Sequence, residues 1–248
     1  MARDIIKSFD TSQNVITALS EDFIAFTNDC ISRTKSCVVG ITGGTAVVAL
    51  LELLNSPEFI NRVDWENIYF LWTDERFLPR SHEDNYFNRV KPHLLCKVQG
   101  ASHFLPINTD MKTVIEAAEE YEQEVKYVLK ACEKKAMDLV LLDLGDDGHT
   151  AGLFAGSHAL RDNTHEVVPI EDGKVWERVT MTFHFLAQTD TVWFTVIGEN
   201  KRSALSKVLN QRLDYEDTPW NERIGRVLPG AVLSQDVVTW YVDKGARK

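Results

Sequence analysis

An α/β fold built on a largely parallel sheet flanked by helices, Rossmann-like in its layering, is what this 248-residue sequence predicts. Three observations carry that expectation. Short apolar runs alternate with longer segments in which apolar residues recur every three or four positions. One run, Asp138-Leu-Val-Leu-Leu-Asp-Leu144, is apolar without alternation, as suits a strand covered on both faces. Glycine-rich or charged segments follow the apolar runs directly, as strand-to-helix loops do.

The elements follow in chain order. Residues 12–32 place Val15, Leu19, Phe23, Ile24, Phe26 and Ile31 at helical intervals, so an amphipathic first helix is expected. Ser36–Thr42 is a short apolar run that ends in glycines, and Ala46–Leu54 resumes helical spacing, which gives strand, glycine turn, helix. Ile68–Thr73 is the next strand, followed by the polar segment Asp74–Ser81 and a helix around Tyr86–Leu95. Val114, Ala118, Tyr121, Val125, Val128, Leu129 and Cys132 step by three and four along a long helix that leads into the 138–144 strand. Val167–Ile170, Arg178–Phe183, Thr191–Ile197 and Val237–Val242 are further strands, with Lys201–Leu209 helical between the last two. Asp214–Arg226 is polar and contains Pro219. It reads as a surface excursion, although its Trp220 and Arg223 are residues that a lid over a site would use. The end, Lys244–Lys248, reads as a solvated tail. With no internal repeat, linker-like composition or low-complexity segment, one domain spanning 1–248 is expected.

Charge and composition exclude several classes of function. The 27 Lys and Arg face 37 Asp and Glu, a formal net charge of −10. Neither nucleic acid nor an anionic membrane surface is an expected partner, because both require clustered cations. The same balance means that any anionic ligand is held against the overall field. Charges interrupt the N-terminal segment, and the longest uncharged stretch, Ser36–Leu51, is broken by Thr42-Gly43-Gly44-Thr45 and falls short of the ~20 apolar residues of a spanning helix. No export signal or membrane span is therefore expected, and a cytoplasmic location is. Cys30, Cys37, Cys96 and Cys132 form no CxxC pair and read as free thiols of a reducing compartment.

Four segments follow strands directly and should gather at the carboxyl edge of the sheet, where open α/β sheets bind ligands. Thr42-Gly43-Gly44-Thr45 offers bare backbone amides and two hydroxyls before a helix N-terminus, the arrangement that cradles phosphate, though a tight turn explains the glycines equally well. Gly145–Thr150 sets two aspartates beside His149, which can fix one imidazole tautomer and raise its basicity as a general base requires; an Asp-capped helix start with an exposed His is the alternative. Asp74-Glu75-Arg76 places an arginine between a buried strand and solvent, able to hold an anion or simply to pair within its own turn. Gly198-Glu199-Asn200-Lys201 brings a lysine to a helix N-terminus, suited to phosphate or to solvent.

Together these motifs resemble the 6-phosphogluconolactonase family. That family shows a Ser-Gly-Gly-Ser/Thr turn, a strand ending in Asp-Glu-Arg with a Pro soon after, an Asn-Tyr pair, and Asp-Gly-His-Thr-Ala-x-Leu-Phe-x-Gly. The corresponding residues here are Thr42–Thr45, Asp74–Arg76 with Pro79, Asn85-Tyr86 and Asp147–Gly156, with Glu177–Thr182, Gly198–Lys201 and Leu228-Pro229 matching later segments. Thr42 replaces the usual Ser, and Ala46-Val47 the common Thr-Pro. The sister family of glucosamine-6-phosphate deaminases follows its Asp-Gly-His with Ile-Ala-Phe-Asn-Glu, and that Glu would fall at Phe154; it also carries Asp-Glu-Tyr where Asp74-Glu75-Arg76 stands. Both differences favour the lactonase.

The resemblance implies a fold similar to that of the deaminases and hydrolysis of 6-phospho-D-glucono-1,5-lactone, with a small phosphosugar lactone as the partner, no cofactor or metal, and a monomer as the expected assembly. It implies His149 as general base, Asp147 as the group that orients it, and Arg76, with Asp74 beside it, as stabiliser of the developing oxyanion or the ring hydroxyls. Thr42, Gly43, Gly44, Thr45, Arg178 and Lys201 would hold the substrate and its phosphate. A deaminase or isomerase, and a non-catalytic phosphosugar sensor, remain the alternatives.

Overall fold

The computed structural model describes residues 3–94, 103–171, 175–232 and 237–247. Among them ten strands occur in chain order: β1 (Arg3–Phe9), β2 (Cys37–Ile41), β3 (Ile68–Trp72), β4 (Asp74–Arg76), β5 (Phe104–Leu105), β6 (Leu139–Asp143), β7 (Val167–Ile170), β8 (Arg178–Met181), β9 (Thr191–Val196) and β10 (Val237–Asp243). The helices are α1 (Ser12–Thr34), α2 (Thr45–Leu54), α3 (Tyr86–Leu94), α4 (Val114–Ala131), α5 (Phe183–Leu186), α6 (Arg202–Asp214), α7 (Trp220–Arg223), α8 (Pro229–Val232) and α9 (Lys244–Arg247). Seven strands form one wholly parallel sheet in the order β1-β10-β9-β6-β2-β3-β5. The expected α/β architecture is therefore present.

The topology fixes where a site can lie. From β2 the chain moves to β3 on one side and then, through α4, returns to β6 on the other. The strand order reverses between β2 and β6, and such a switch point opens a crevice at the carboxyl ends. Register keeps those ends level: Ile41 pairs with Trp72 and Leu141, and Asp143 with Thr195. The central strands are buried on both faces, which explains why β2 and the 138–144 run read as continuous apolar sequence.

Three departures from the sequence-based expectation have physical causes. First, Val167–Ile170 and Arg178–Met181 leave the main sheet and pair antiparallel, with Asp74–Arg76 as the third strand, in the order β4-β8-β7. Thr73 makes the transfer, donating its amide to Ile41 O (2.9 Å) and accepting at its carbonyl from the Met181 amide (2.7 Å). The two sheets share one apolar core, into which Val168, Val179 and Met181 pack with residues of the main sheet. Second, Arg3–Phe9 forms the edge strand, hidden in sequence because Arg3, Asp4 and Lys7 interrupt its apolar residues. Asp4 accepts from Arg212 Nε (2.8 Å) and Trp240 Nε1 (2.7 Å), which also extends α6 to Asp214, five residues beyond the expected Leu209. Third, the supposed tail folds as α9: the Ala246 amide donates to Asp243 Oδ1 (2.8 Å), and Arg202 donates through Nε and Nη2 to Gly245 O (3.1 and 3.0 Å).

The polar 214–226 segment is the end of α6 followed by turns and α7. Its Arg223 is buried and donates to Thr218 O (2.7 Å) and Glu216 O (3.0 Å), so it ties the segment to itself. Cys30, Cys37 and Cys132 are free thiols, as expected; Cys96 lies outside the described residues. No helix among the described residues is long and apolar enough to cross a membrane.

Candidate active site

The four polar segments meet at the switch point. A cleft of about 570 Å³ lies over Gly44, Thr45, Arg76, Arg89, Asp143 and Lys201. It opens inward into a smaller chamber of about 220 Å³, lined by Thr42, Asp74, Gly145, His149, Ala151 and Arg178. Gly44, Arg76, Tyr86, Asp143 and Lys201 belong to both. Four cationic side chains, Arg76, Arg89, Arg178 and Lys201, line these spaces with two anionic ones, Asp74 and Asp143. Cations therefore outnumber anions among the side chains that line the cleft of an acidic protein.

His149 is placed by its own loop. The Gly145 amide donates to His149 O (2.8 Å) and the Gly148 amide to Gly145 O (2.9 Å), with Gly148 at φ +83°. A side chain at Gly145 would overlap the imidazole, so this glycine is required by close approach. Asp147 Oδ1 lies 2.5 Å from His149 Nδ1 and also accepts the His149 amide (3.2 Å). Because an ionised carboxylate only accepts, Nδ1 is the donor and the ring's free lone pair sits on Nε2. Phe154 packs against the imidazole with centroids 4.5 Å apart, and the Arg178 guanidinium lies over the other ring at 5.3 Å.

The arginines come from the small sheet. Arg76 and Arg178 are cross-strand partners in β4 and β8. Arg178 Nη1 donates to Asp74 Oδ2 at 3.0 Å, a pair with side chains only 11% and 3% exposed. Burial pushes the Asp74 carboxyl up, against the pull of Arg178, His149 and Arg76. Arg76 Nη1 donates to Asp84 Oδ1 (2.7 Å) while its guanidinium lies 4.8 Å from the Tyr86 ring centroid. Its buried Nε has no hydrogen-bond partner among the described residues. Between them Glu75 is structural: fully buried, it accepts the amides of Arg76 (2.7 Å), Tyr86 (2.8 Å) and Phe87 (2.9 Å), capping the first turn of α3. Burial raises its carboxyl to about 8, opposed by those three amides. Glu75→Ala leaves three buried donors unpaired and is expected to cost about 2–4 kcal/mol in urea unfolding, with Glu75→Gln recovering part of the loss.

The glycine turn is more crowded than the sequence suggests. The Gly44 amide donates to Thr42 Oγ1 (3.2 Å), so the Thr42 hydroxyl closes the turn. Gly43 is buried under the Tyr86 ring, where any side chain would collide, and it lines neither chamber. Thr45 is exposed at the first turn of α2, at the wall of the larger space. Lys201 Nζ pairs with Asp146 Oδ1 at 2.7 Å and also lines both chambers.

Of the residues expected from sequence, His149, Arg76, Asp74, Thr42, Gly44, Thr45, Arg178 and Lys201 therefore line the cleft, Asp147 reaches it through His149, and Gly43 only supports it. Lining side chains outside the expected set include Tyr86, Arg89 one turn further along α3, and Asp143. Asp143 ends β6, a position that the carboxyl-edge rule marks. Burial raises Asp143 to about 6, with Lys201 and Arg89 pulling down and Asp74 pushing up. A native carboxyl raised above its unfolded value of 3.8 is an acid whose ionisation opposes folding, so stability falls as pH rises from 3.8 to about 6 and stays lower above that. Asp143→Asn is accordingly expected to stabilise the ligand-free protein at pH 8 by about 1–2 kcal/mol, less than the full linkage because the carboxylate faces an open cleft, and to have little effect at pH 4; thermal unfolding at both pH values checks this.

A family model described as glucosamine-6-phosphate isomerases/6-phosphogluconolactonase matches residues 10–231. The chain is 29% identical over 251 residues to a probable chloroplastic 6-phosphogluconolactonase 3 of Oryza sativa subsp. indica, covering 96% of this chain and 73% of that protein. Among solved structures, 6-phosphogluconolactonase from Thermotoga maritima superposes with a TM-score of 0.78 at 23% identity, covering 98% of this chain and 100% of the other. A monomeric glucosamine-6-phosphate deaminase gives a TM-score of 0.76 at 16% identity, with 98% of each chain covered, so the two activities share this fold.

Proposed function

The chain belongs to the glucosamine-6-phosphate isomerase/6-phosphogluconolactonase family, and from that premise we propose that it hydrolyses 6-phospho-D-glucono-1,5-lactone to 6-phospho-D-gluconate, the second step of the oxidative pentose phosphate pathway. The observation that carries the reading is the 2.5 Å contact of Asp147 with His149 Nδ1, at the wall of a chamber ringed by Arg76, Arg178 and Lys201. A lactone is an activated ester, so its hydrolysis needs a base for water and stabilisation of one oxyanion, and no covalent nucleophile.

His149 Nε2 takes a proton from water as the oxygen attacks the lactone carbonyl, and Asp147 holds the tautomer and stabilises the imidazolium that forms. Arg76, whose Nε has no partner among the described residues, and Arg178 stabilise the charge that develops on the carbonyl oxygen. Asp74 positions Arg178. The proton on His149 then passes to the ring oxygen as the C–O bond breaks and the acid is released. The Gly44 turn, Thr45 and Lys201 hold the phosphate outside the reacting centre, which fixes the carbonyl near His149. Lys201→Ala is expected to raise KM by about 10- to 100-fold with kcat within threefold, because charged hydrogen bonds of this type are worth about 1.5–3 kcal/mol; an unchanged KM removes Lys201 from the phosphate site.

Phe154 separates this reading from a deaminase. The position that would carry a carboxylate beside the histidine is filled by an aromatic ring packed on it, and the purified protein should release no ammonia from glucosamine 6-phosphate. Turnover of the 1,5-lactone above its spontaneous opening tests the reading directly. We place the enzyme in the cytoplasm, as a single catalytic domain over 1–248, on the support of its buried free thiols Cys30 and Cys37 and the core common to both sheets.

A further inference from the structure

Asp143 stands where the two chambers join, and the chemistry above gives it no task. Its Oδ2 lies over Gly44, in the space that a side chain at that position would fill. Among the described residues no hydrogen bond or ion pair reaches this carboxylate. The turn offered to the phosphate therefore carries an acidic group of its own. Two ionised oxygens do not close to hydrogen-bond distance unless a proton lies between them.

We infer that Asp143 determines which anion the Gly44 turn accepts: a phosphoryl group seats there only with one proton shared between one of its oxygens and the Asp143 carboxylate. The inference rests on the lactonase reading only for the identity of the natural ligand. Other charged or titratable groups face the same space: Asp74 and Arg76 from β4, Tyr86 and Arg89 from α3, His149 from the loop after β6, Arg178 from β8, and Lys201 from the turn after β9. The arginines and Lys201 supply the attraction that draws an anion into this space. Burial lifts Asp143 to about 6, close to the second ionisation of a phosphate monoester at about 6. Above both values each partner is fully ionised, and binding must draw one proton from solution. Affinity then falls tenfold for each pH unit.

The test is calorimetric titration with 6-phosphogluconate and, separately, with inorganic phosphate from pH 7.5 to 9, in two buffers of unlike ionisation enthalpy. The wild-type protein should take up close to one proton per ligand, with Kd rising about tenfold per pH unit. Asp143→Asn, or Asp143→Gly should the first variant not fold, should bind with Kd changing less than twofold over the range and more tightly than wild type at pH 9. His149→Ala should keep the wild-type slope. A flat wild-type profile, a slope that survives in the Asp143 variant, or a slope lost with His149 overturns the inference. Proton-linked binding of inorganic phosphate with no binding of 6-phosphogluconate would leave it standing and overturn the lactonase reading. Failure of both ligands to bind would overturn it as well.

Discussion

His149→Ala should lower kcat for lactone opening by about 10³-fold while leaving the affinity for 6-phosphogluconate within about threefold. General bases contribute roughly 10²- to 10⁴-fold, and here the imidazole rests between Gly145 and Phe154 and bonds to Asp147 within its own loop. Asp147→Asn should fall between the variant and wild type, because an amide can still touch Nδ1 but stabilises the imidazolium far less. Equal turnover in His149→Ala and wild type, after subtraction of the spontaneous reaction, would remove the histidine from the chemistry.

The second large effect concerns stability. Arg178→Met should lower the unfolding free energy by about 3–5 kcal/mol, because it leaves the buried Asp74 carboxyl without its partner. Asp74→Asn/Arg178→Met should recover more than half of that loss, since replacing both charges removes the penalty that breaking one creates. Urea unfolding of the two single variants and the double variant reads the coupling. A double variant as unstable as the sum of the singles would show that the pair is not what holds β4 against β8. Neither Arg178→Met nor the double variant should retain substantial turnover, because Arg178 also faces the chamber beside His149.

Most of the sheet was legible because its strands are buried on both faces. Apolar runs such as Cys37–Ile41 and Leu139–Asp143 have no other economical explanation, and the helices between them repeat at the expected interval. What escaped was held by polar contacts at long range. Arg3–Phe9 looks charged because Asp4 is the partner of Arg212 and Trp240, more than 200 residues away. Asp74–Arg76 reads as a turn because its strand partners, Arg178 to Thr180, lie more than 100 positions later. The candidate site divides the same way. His149, Arg76, Asp74 and Lys201 sit in segments whose composition is odd for loops, whereas Asp143 hides at the end of a strand and Tyr86 and Arg89 within a helix. Gly43 and Gly44 invited a phosphate reading, yet Gly43 is small because of Tyr86 and Gly44 because of Asp143. A short glycine turn thus records what crowds it as much as what it binds.

The measurement that bears most directly on the account is acid release from freshly prepared 6-phospho-D-glucono-1,5-lactone, followed at constant pH with spontaneous opening subtracted, for the wild-type protein and His149→Ala side by side. The account predicts rapid turnover by the wild type and a rate indistinguishable from, or barely above, the spontaneous reaction for the variant. A wild-type rate no faster than the uncatalysed opening, with folding intact, would contradict it.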